Sequence, residues 1–291
     1  MKKFFLWILA LMIMVSAIIY QRTTGPTYPF RGDFQVGEKV HKYKLLRSHE
    51  TTQGAPITLP DTGESNFSAT LNFKRYKTAD EITTIAFEKS TQEDGTLEWI
   101  APLPVQPAAG KMEYFVEIES GNSKVRIPDP GEENIVLRYK DPVPDWILWP
   151  HIFLMFFSVL IGMRTGLAAL FNADDMRKLA FITMGGMTLG GMILGPIVQK
   201  YAFGEYWTGF PFGGDLTDNK MLIMWVSWLI AVAVIGTGPK KKEGICRVVV
   251  LMAALVMSAV YAIPHSMRGS ELDYSQVDQG VDPAEAIGTG D

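Results

Sequence analysis

Two apolar segments of this chain are joined by residues 200–220, KYAFGEYWTGFPFGGDLTDNK. The joining segment is dense in aromatic residues, glycines and carboxylates, whereas a generic connector between membrane helices is shorter or blander. Aromatic side chains settle at the membrane–water boundary because they pair an apolar body with a polar edge, and glycines let a chain fold back sharply. We therefore predict a structured cap on the outer face of a helical bundle. The residues expected to build this cap are Tyr206, Trp207, Phe210, Phe212, Asp215, Asp218 and Asn219.

The carboxylates at the end of this segment admit two interpretations. Asp215, Asp218 and Asn219 can cap the helix that begins near Met221, because side-chain oxygens accept hydrogen bonds from the free amides of a helix N-terminus. A calcium loop would need the D-x-D-x-D-G spacing of an EF-hand, which is absent. We favour capping and loop contacts, and we expect no catalytic pairing of Glu205 with Asp215.

Four apolar segments of membrane-spanning length follow residue 145. Each is close to the ~20 residues that a helix needs to cross ~30 Å of hydrocarbon. The segments are Ile147–Leu170, Leu179–Val198, Met221–Thr237 and Ile245–Ile263. Basic residues cluster in the connectors at 171–178 and 239–247, and the positive-inside rule places such connectors in the cytoplasm. Residues 199–220 and the C-terminal segment then fall on the outer side.

The first 20 residues have the pattern of a secretory signal. Lys2 and Lys3 precede an apolar run from Phe4 to Ile19, in the order of the charged and hydrophobic regions of a signal. Residues 15–17, Val-Ser-Ala, form an acceptable cleavage site, but the apolar run continues beyond them. We favour an uncleaved signal anchor over a removed signal peptide, and either one exports the segment that follows.

Residues 21–145 have the pattern of an all-β domain. Apolar residues recur at every second position in several short runs, which is the period of a half-buried strand. The predicted strands are Lys39–Leu46, Asn66–Arg75, Ile82–Lys89, Leu97–Pro102, Met112–Glu119, Lys124–Ile127 and Ile135–Tyr139. The pairs Asp94-Gly95 and Gly121-Asn122 supply the turn residues of tight hairpins. This number of short strands is typical of a two-sheet sandwich.

Part of this region resembles bacterial fibronectin-III or immunoglobulin-like modules. The resemblance is carried by Trp99–Pro104, WIAPLP, and by Met112–Glu117, MEYFVE. In such modules a strand that ends in prolines precedes a strand with a core tyrosine. The resemblance covers about residues 30–140 and lacks the paired cysteines of true immunoglobulin domains. It implies a sandwich that binds or spaces other proteins, and it implies no reaction.

The predicted architecture is a membrane protein of class α plus β with five crossings. Residues 1–20 are the signal anchor and residues 21–145 the periplasmic β-sandwich. Residues 146–265 form a four-helix transmembrane bundle with its structured loop at 199–220, and residues 266–291 an acidic periplasmic tail. The carboxylates of the tail are Glu271, Asp273, Asp278, Asp282, Glu285 and Asp291.

Small residues recur four apart in the second segment of the bundle. Gly186 and Gly190 form one such pair, and Gly191 and Gly195 form another. Small residues let helix backbones approach closely, and close packing drives helix association in lipid. The two pairs predict packing within the chain, which we favour, or contact with a partner subunit.

Two histidines, His151 and His265, fall near the outer ends of their segments. Imidazoles from two different helices can ligate a b-type haem in a four-helix bundle. We favour two interfacial histidines beside prolines, because a haem pair lies deeper in a bundle. Haem b or a quinone near these residues is the alternative, and the favoured interpretation includes no cofactor.

Arg164 places an ionisable side chain inside an apolar run, which is costly unless the charge is partnered or reaches the interface. By helical rise it lies ~20 Å from the level of His151, near the cytoplasmic boundary. We predict that it snorkels there as a topology anchor. The alternative is an ion pair with Asp174 or Asp175, or with an anionic lipid.

Composition excludes several classes of function. The net charge of −4 offers no case for binding nucleic acid. Cys246 is the one cysteine, so an internal disulfide, a CxxCH haem attachment site and a thiolate zinc cluster are excluded. The sequence also lacks the GxGxxG, P-loop, HExxH and GxSxG motifs.

These patterns favour a non-catalytic accessory or scaffold subunit of a complex in the bacterial inner membrane. The sandwich would dock a periplasmic protein partner, and the glycine-lined helix would pack within the lipid bilayer. The 200–220 loop would contact the sandwich or that partner. The alternative is an electron-transfer subunit that binds haem b or quinone, and a further alternative is a small-solute channel or transporter.

Overall fold

The structure, a computed structural model, describes most of the chain. The described residues are 2–121, 123–238, 243–264 and 269–288. Some residues that figure in the predictions lie outside them, namely Asn122, Lys240–Lys242, His265 and Asp291.

The chain forms two compact units. The helical unit comprises residues 1–26 and 143–269, and the β unit comprises residues 27–142 and 270–290. The α plus β composition expected from the sequence is confirmed, with a β-rich N-terminal region and helices of membrane-spanning length.

Eleven strands between residues 30 and 140 build most of the β unit. In chain order β1–β11 are Phe30–Val36, Lys39–Leu45, Ser48–Glu50, Ala55–Pro60, Phe67–Arg75, Thr83–Ala86, Glu88–Thr91, Leu97–Leu103, Lys111–Ser120, Ser123–Ile127 and Ile135–Lys140. One sheet has the order β3-β11-β9-β5-β6, with β10 also paired to β9, and a second has the order β4-β8-β7. β1 and β2 form a hairpin.

Strand β9 illustrates why these residues form strands with one buried face. Its alternate residues Met112, Tyr114, Val116 and Ile118 are buried, and most of the residues between them are partly exposed. The buried face joins residues of the second sheet and of the β1–β2 hairpin in one apolar cluster. A slip of one residue would turn this apolar set outwards, so burial fixes the register.

The predicted strands are confirmed with one change. The predicted strand Ile82–Lys89 is divided, because β6 pairs with β5 whereas β7 pairs with β8. Phe87 lies between them, with a buried ring and an N–H donated to the Ala69 carbonyl. Sequence reasoning missed β1, β3 and β4: β3 has three residues, and β4 begins and ends beside prolines.

The C-terminal segment, residues 270–288, belongs to the β unit. The sequence pattern predicted an acidic periplasmic tail at 266–291, with no strand or helix assigned to it. Glu271–Leu272 (β12) pairs with Ile287–Gly288 (β13), and Tyr274–Asp278 forms a short helix. Sequence reasoning missed these short elements because an acidic segment of this length has no hydrophobic period, and its contacts are with residues far away in the sequence.

Among the described residues, the helical unit contains five helical stretches long and apolar enough to cross a membrane, which indicates a membrane protein. The stretches are Lys3–Thr24, Asp145–Leu170, Met176–Phe203, Leu216–Ile235 and Glu243–Ala262. The helices are α1 (Lys2–Thr24), α2 (Asp145–Leu170), α3 (Met176–Met187), α4 (Gly195–Phe203), α5 (Leu216–Ile235) and α6 (Glu243–Ala262). Each predicted crossing corresponds to one stretch.

The third stretch changes its helix type in the middle. A π-helical segment, Thr188–Leu194, separates α3 from α4. Pro196 has no N–H to donate to the carbonyl four residues earlier, which favours a wider turn at this point. Gly195 instead donates its N–H to the Gly190 carbonyl five residues before it. Such π-helical turns are frequent at functional sites.

Helix α1 packs as part of the helical unit. Leu6 and Ala10 are buried, and the Gln21 side-chain amide donates to the Tyr261 carbonyl over 3.0 Å. The helix also continues without a break through residues 15–17, the candidate cleavage site.

Candidate functional site

The loop between α4 and α5 is held together by carboxylates of the first turn of α5. Asp215 is the N-cap, and its side chain accepts hydrogen bonds from the amides of Thr217 at 2.7 Å and Asp218 at 3.3 Å. Asp218 is buried and accepts from the amides of Thr208 at 2.7 Å and Gly209 at 3.0 Å. Asp215 therefore starts the helix, and Asp218 folds the loop back over it.

Asn219 and Trp207 complete this arrangement. The Asn219 side-chain oxygen accepts from the Phe210 amide at 2.7 Å, and the Trp207 indole donates to the Phe210 carbonyl at 3.0 Å. Gly209 packs so closely that a Cβ there would lie 2.6 Å from the Cβ of Asp218. The predicted capping role thus holds for Asp215, whereas Asp218 and Asn219 bind the amides of the loop.

The loop presents aromatic side chains outwards. Tyr206, Phe210 and Phe212 are 57%, 68% and 81% exposed, whereas Trp207 is half-buried. Thr208, Asp215 and Asp218 are buried whereas these three rings face outwards, which is the reverse of an ordinary soluble loop. A rigid backbone with exposed rings suits a membrane boundary or a protein contact.

Three glycines of the third stretch, Gly186, Gly190 and Gly191, face neighbouring helices of the same chain. A Cβ at Gly190 would lie 2.7 Å from the Cβ of Leu154 on α2 and 3.3 Å from its carbonyl carbon. Cβ atoms at Gly186 and Gly191 would overlap Ser158 and Met221 in the same way. Packing within the chain accounts for these three glycines. Gly195 is less crowded, because a Cβ there would lie 3.7 Å from the nearest atom of the His151 ring.

His151 is bonded to the widened turn. Its Nδ1 lies 2.8 Å from the Gly190 carbonyl oxygen, and with the proton on Nδ1 it donates a hydrogen bond there. That carbonyl also accepts the N–H of Gly195. His265 lies outside the described residues, so the pairing of the two imidazoles stays a prediction, as does haem b.

Arg164 is fully buried and does not snorkel, which corrects the favoured prediction. Its Nη2 lies 2.8 Å from Oδ2 of Asp175, the alternative partner, and its guanidinium lies 5.4 Å from the centre of the Trp7 ring. Within the described part of the chain, Nε and Nη1 have no hydrogen-bond partner. The guanidinium is covered because α1 brings Trp7 over it, and no local pattern around Arg164 reveals that.

Other cations of the helical unit bind the carbonyls at helix ends. Arg247 donates to the Ala168 carbonyl at the end of α2 over 3.1 Å, and Arg177 donates to the Ile235 carbonyl at the end of α5 over 3.1 Å. Lys220 is buried and donates to the Ile263 carbonyl beyond the end of α6. Positive charge is favourable at these positions because the last carbonyls of a helix carry partial negative charge.

A second candidate site lies within the β unit, where the C-terminal segment meets a basic surface formed by Arg75, Lys77, Lys111 and Arg138. Glu271 accepts from Lys77 at 2.9 Å and also pairs with Lys111. Burial would raise the pKa of Glu271, but the hydrogen bonds from Lys111 and Lys77 outweigh it and hold that pKa below its usual range. Burial lowers the pKa of Lys111.

The described ranges contain no group of three or more histidine, cysteine, aspartate or glutamate side chains that could hold a metal ion. The chain matches no protein-family model, and no curated protein is significantly similar to it.

Proposed function

We propose that this protein is a non-catalytic accessory or scaffold subunit of a complex in the bacterial inner membrane. Its β unit would dock a protein partner, and its helical unit would hold it in the bilayer. The observation that supports this best is that charged side chains of the helical unit bind backbone groups of the same unit. Asp215, Asp218, Lys220 and Arg247 all bond to backbone groups of that unit, so they serve its fold.

The orientation follows from charge and chain connectivity. Arg177 and Lys178 lie in the first turn of α3, and Arg247 lies near the start of α6. By the positive-inside rule, the start of α3 and the start of α6 would lie in the cytoplasm. The β unit contains segments from before α2 and after α6. Four crossings would return the chain to the side it left, so we infer that the whole β unit lies in the periplasm.

The sandwich interpretation is supported by the sheets of the β unit. The β3-β11-β9-β5-β6 sheet and the β4-β8-β7 sheet contribute to one apolar cluster. The strand with the core tyrosine, β9, lies inside the larger sheet, and Tyr114 donates to the Leu46 carbonyl over 2.6 Å. A fibronectin-III-like or immunoglobulin-like module of this kind would act as a docking body.

The test is purification of the affinity-tagged full-length protein from its native membrane, after treatment of intact cells with an inner-membrane-impermeant crosslinker. We expect a defined set of proteins at a fixed ratio to this chain, crosslinked through exposed lysines of the β unit such as Lys124. The isolated partner should bind the purified protein again at the same ratio. Crosslinks only to abundant proteins, at ratios that change between preparations, would contradict the proposal.

A further inference from the structure

The C-terminal segment is a small folded element of its own. Leu272, Tyr274 and Ala286 form an apolar cluster that is separate from the main core of the β unit. Strands β12 and β13 pair with each other, and among the described residues neither joins the two larger sheets. The segment therefore meets the rest of the β unit as a docked body, and its removal would interrupt no ladder of those sheets.

Charge holds this element to the basic surface. Arg75 binds Asp278 through two nitrogens at 2.7 and 2.9 Å, which is a bidentate pair. Glu271 is bound by both Lys77 and Lys111. Charge-assisted hydrogen bonds of this kind are the stronger ones in proteins, and a bidentate pair also fixes direction.

Tyr274 acts as an aromatic anchor between these ion pairs. It is buried, with Arg75 5.0 Å above its ring. Its hydroxyl accepts from the Lys111 amide at 3.0 Å and lies 3.0 Å from two acceptors, Oε1 of Gln106 and the Lys111 carbonyl. A Cβ at Gly110 would lie 3.0 Å from the same hydroxyl, so a larger residue there would crowd the tyrosine.

Backbone contacts complete the fit. The Leu272 amide donates to the Ala109 carbonyl over 3.2 Å, and Arg138 donates to the Ser270 carbonyl over 2.6 Å. The surface thus recognises two carboxylates, one aromatic ring and the backbone of an extended stretch. These are the features by which a binding site recognises a short acidic peptide.

We propose that the basic surface is a peptide-binding site for acidic segments with an aromatic anchor, which the chain's own residues 270–288 occupy and which an equivalent segment of a partner protein can occupy in exchange. This inference takes its biological meaning from the proposed docking role of the β unit. The binding itself needs no partner, so the two proposals can fail separately.

The test uses the full-length protein with a protease recognition sequence inserted after Arg268. After cleavage in detergent, we expect the C-terminal fragment to stay bound through gel filtration. A fluorescent synthetic peptide of residues 269–288, added in excess, should then replace it and give a rise in anisotropy. The rise should weaken with salt, because ion pairs hold both Glu271 and Asp278.

Matched peptides distinguish recognition from general attraction between opposite charges. Glu271→Gln removes the carboxylate that two lysines bind, and we expect at least fivefold weaker binding. Glu285→Gln makes the same change of charge at an exposed residue that has no ion pair within the described residues, and it should bind like the parent peptide. Tyr274→Ala tests the anchor and should also weaken binding by at least fivefold.

Three results would overturn the inference. One is a fragment that leaves on cleavage together with a peptide that does not bind. Another is a fragment that excess peptide never replaces, since this would make the segment a permanent part of the fold. The third is equal binding of the Glu271→Gln and Glu285→Gln peptides, which would show attraction without recognition.

Discussion

The β unit contains partly exposed ion pairs between segments that are far apart in the sequence, such as the pair of Arg75 with Asp278. In the helical unit, Arg247 is partly buried and binds the end of α2, and the fully buried Arg164 binds a single counter-charge, Asp175. The difference follows from the surroundings. Water compensates an exposed charge when a partner leaves, whereas a buried charge without a partner is costly. Loss of a charged partner should therefore lower the free energy of unfolding more in the helical unit than in the β unit.

The largest effect is expected for Asp175→Asn, which leaves the fully buried Arg164 without its counter-charge. Breaking one side of such a buried pair costs about 3 kcal/mol or more of unfolding free energy. Unfolding of the purified protein in mixed detergent micelles measures this. Asp174→Asn is the matched control, because the pair of Asp174 with Lys3 is largely exposed and should contribute nothing measurable. Equal effects of the two changes would mean that Arg164 is not buried.

The next effect concerns the contact between the third stretch and α2. Gly190→Ala places a Cβ within 2.7 Å of Leu154, and overpacking of this kind costs about 1–3 kcal/mol. Gly185→Ala is the control, since a Cβ there meets nothing within 4 Å in the described structure. The same unfolding measurement applies. A neutral Gly190→Ala variant would show that the helices are further apart than described.

A smaller effect is expected at the loop. Asp215→Ala removes the N-cap of α5 and should cost about 1 kcal/mol. Glu205→Ala, in the same loop, changes a carboxylate for which the described residues show no hydrogen bond or ion pair, and it should be neutral. Thermal unfolding of both variants in detergent measures the difference. An equal shift of the unfolding temperature in both variants would contradict this prediction.

The smallest effect is the response of the C-terminal segment to acid. The folded-state pKa of Glu271 is lowered, so its ion pairs contribute fully above its usual pKa of 4.5 and are lost as the pH falls below that value. We expect faster proteolysis of the segment between pH 5 and pH 3 than at pH 7, with an acid-stable protease. Glu271→Gln should reduce this pH dependence and Glu285→Gln should not. An identical pH response in both variants would assign the effect to other carboxylates.

Local patterns predicted most of the fold. The alternation of apolar and polar residues predicted β9, and long apolar runs predicted the five membrane-length stretches. The sequence could not reveal the docked C-terminal segment, since Arg75 and Asp278 are 203 positions apart and leave no local signal. The burial of Arg164 likewise depends on Trp7 of a distant helix. The π-helical turn could have been predicted from Pro196, because a proline inside a long apolar run disturbs the helix before it.

Labelling of single cysteines in intact spheroplasts tests most directly the central claim that the C-terminal segment and the β unit share the periplasmic side. On a Cys246→Ser background, Glu285→Cys and Lys178→Cys each replace an exposed residue. We expect a membrane-impermeant maleimide to label Glu285→Cys without lysis and Lys178→Cys only after lysis. Labelling of Lys178→Cys in intact spheroplasts, with Glu285→Cys protected until lysis, would contradict the account.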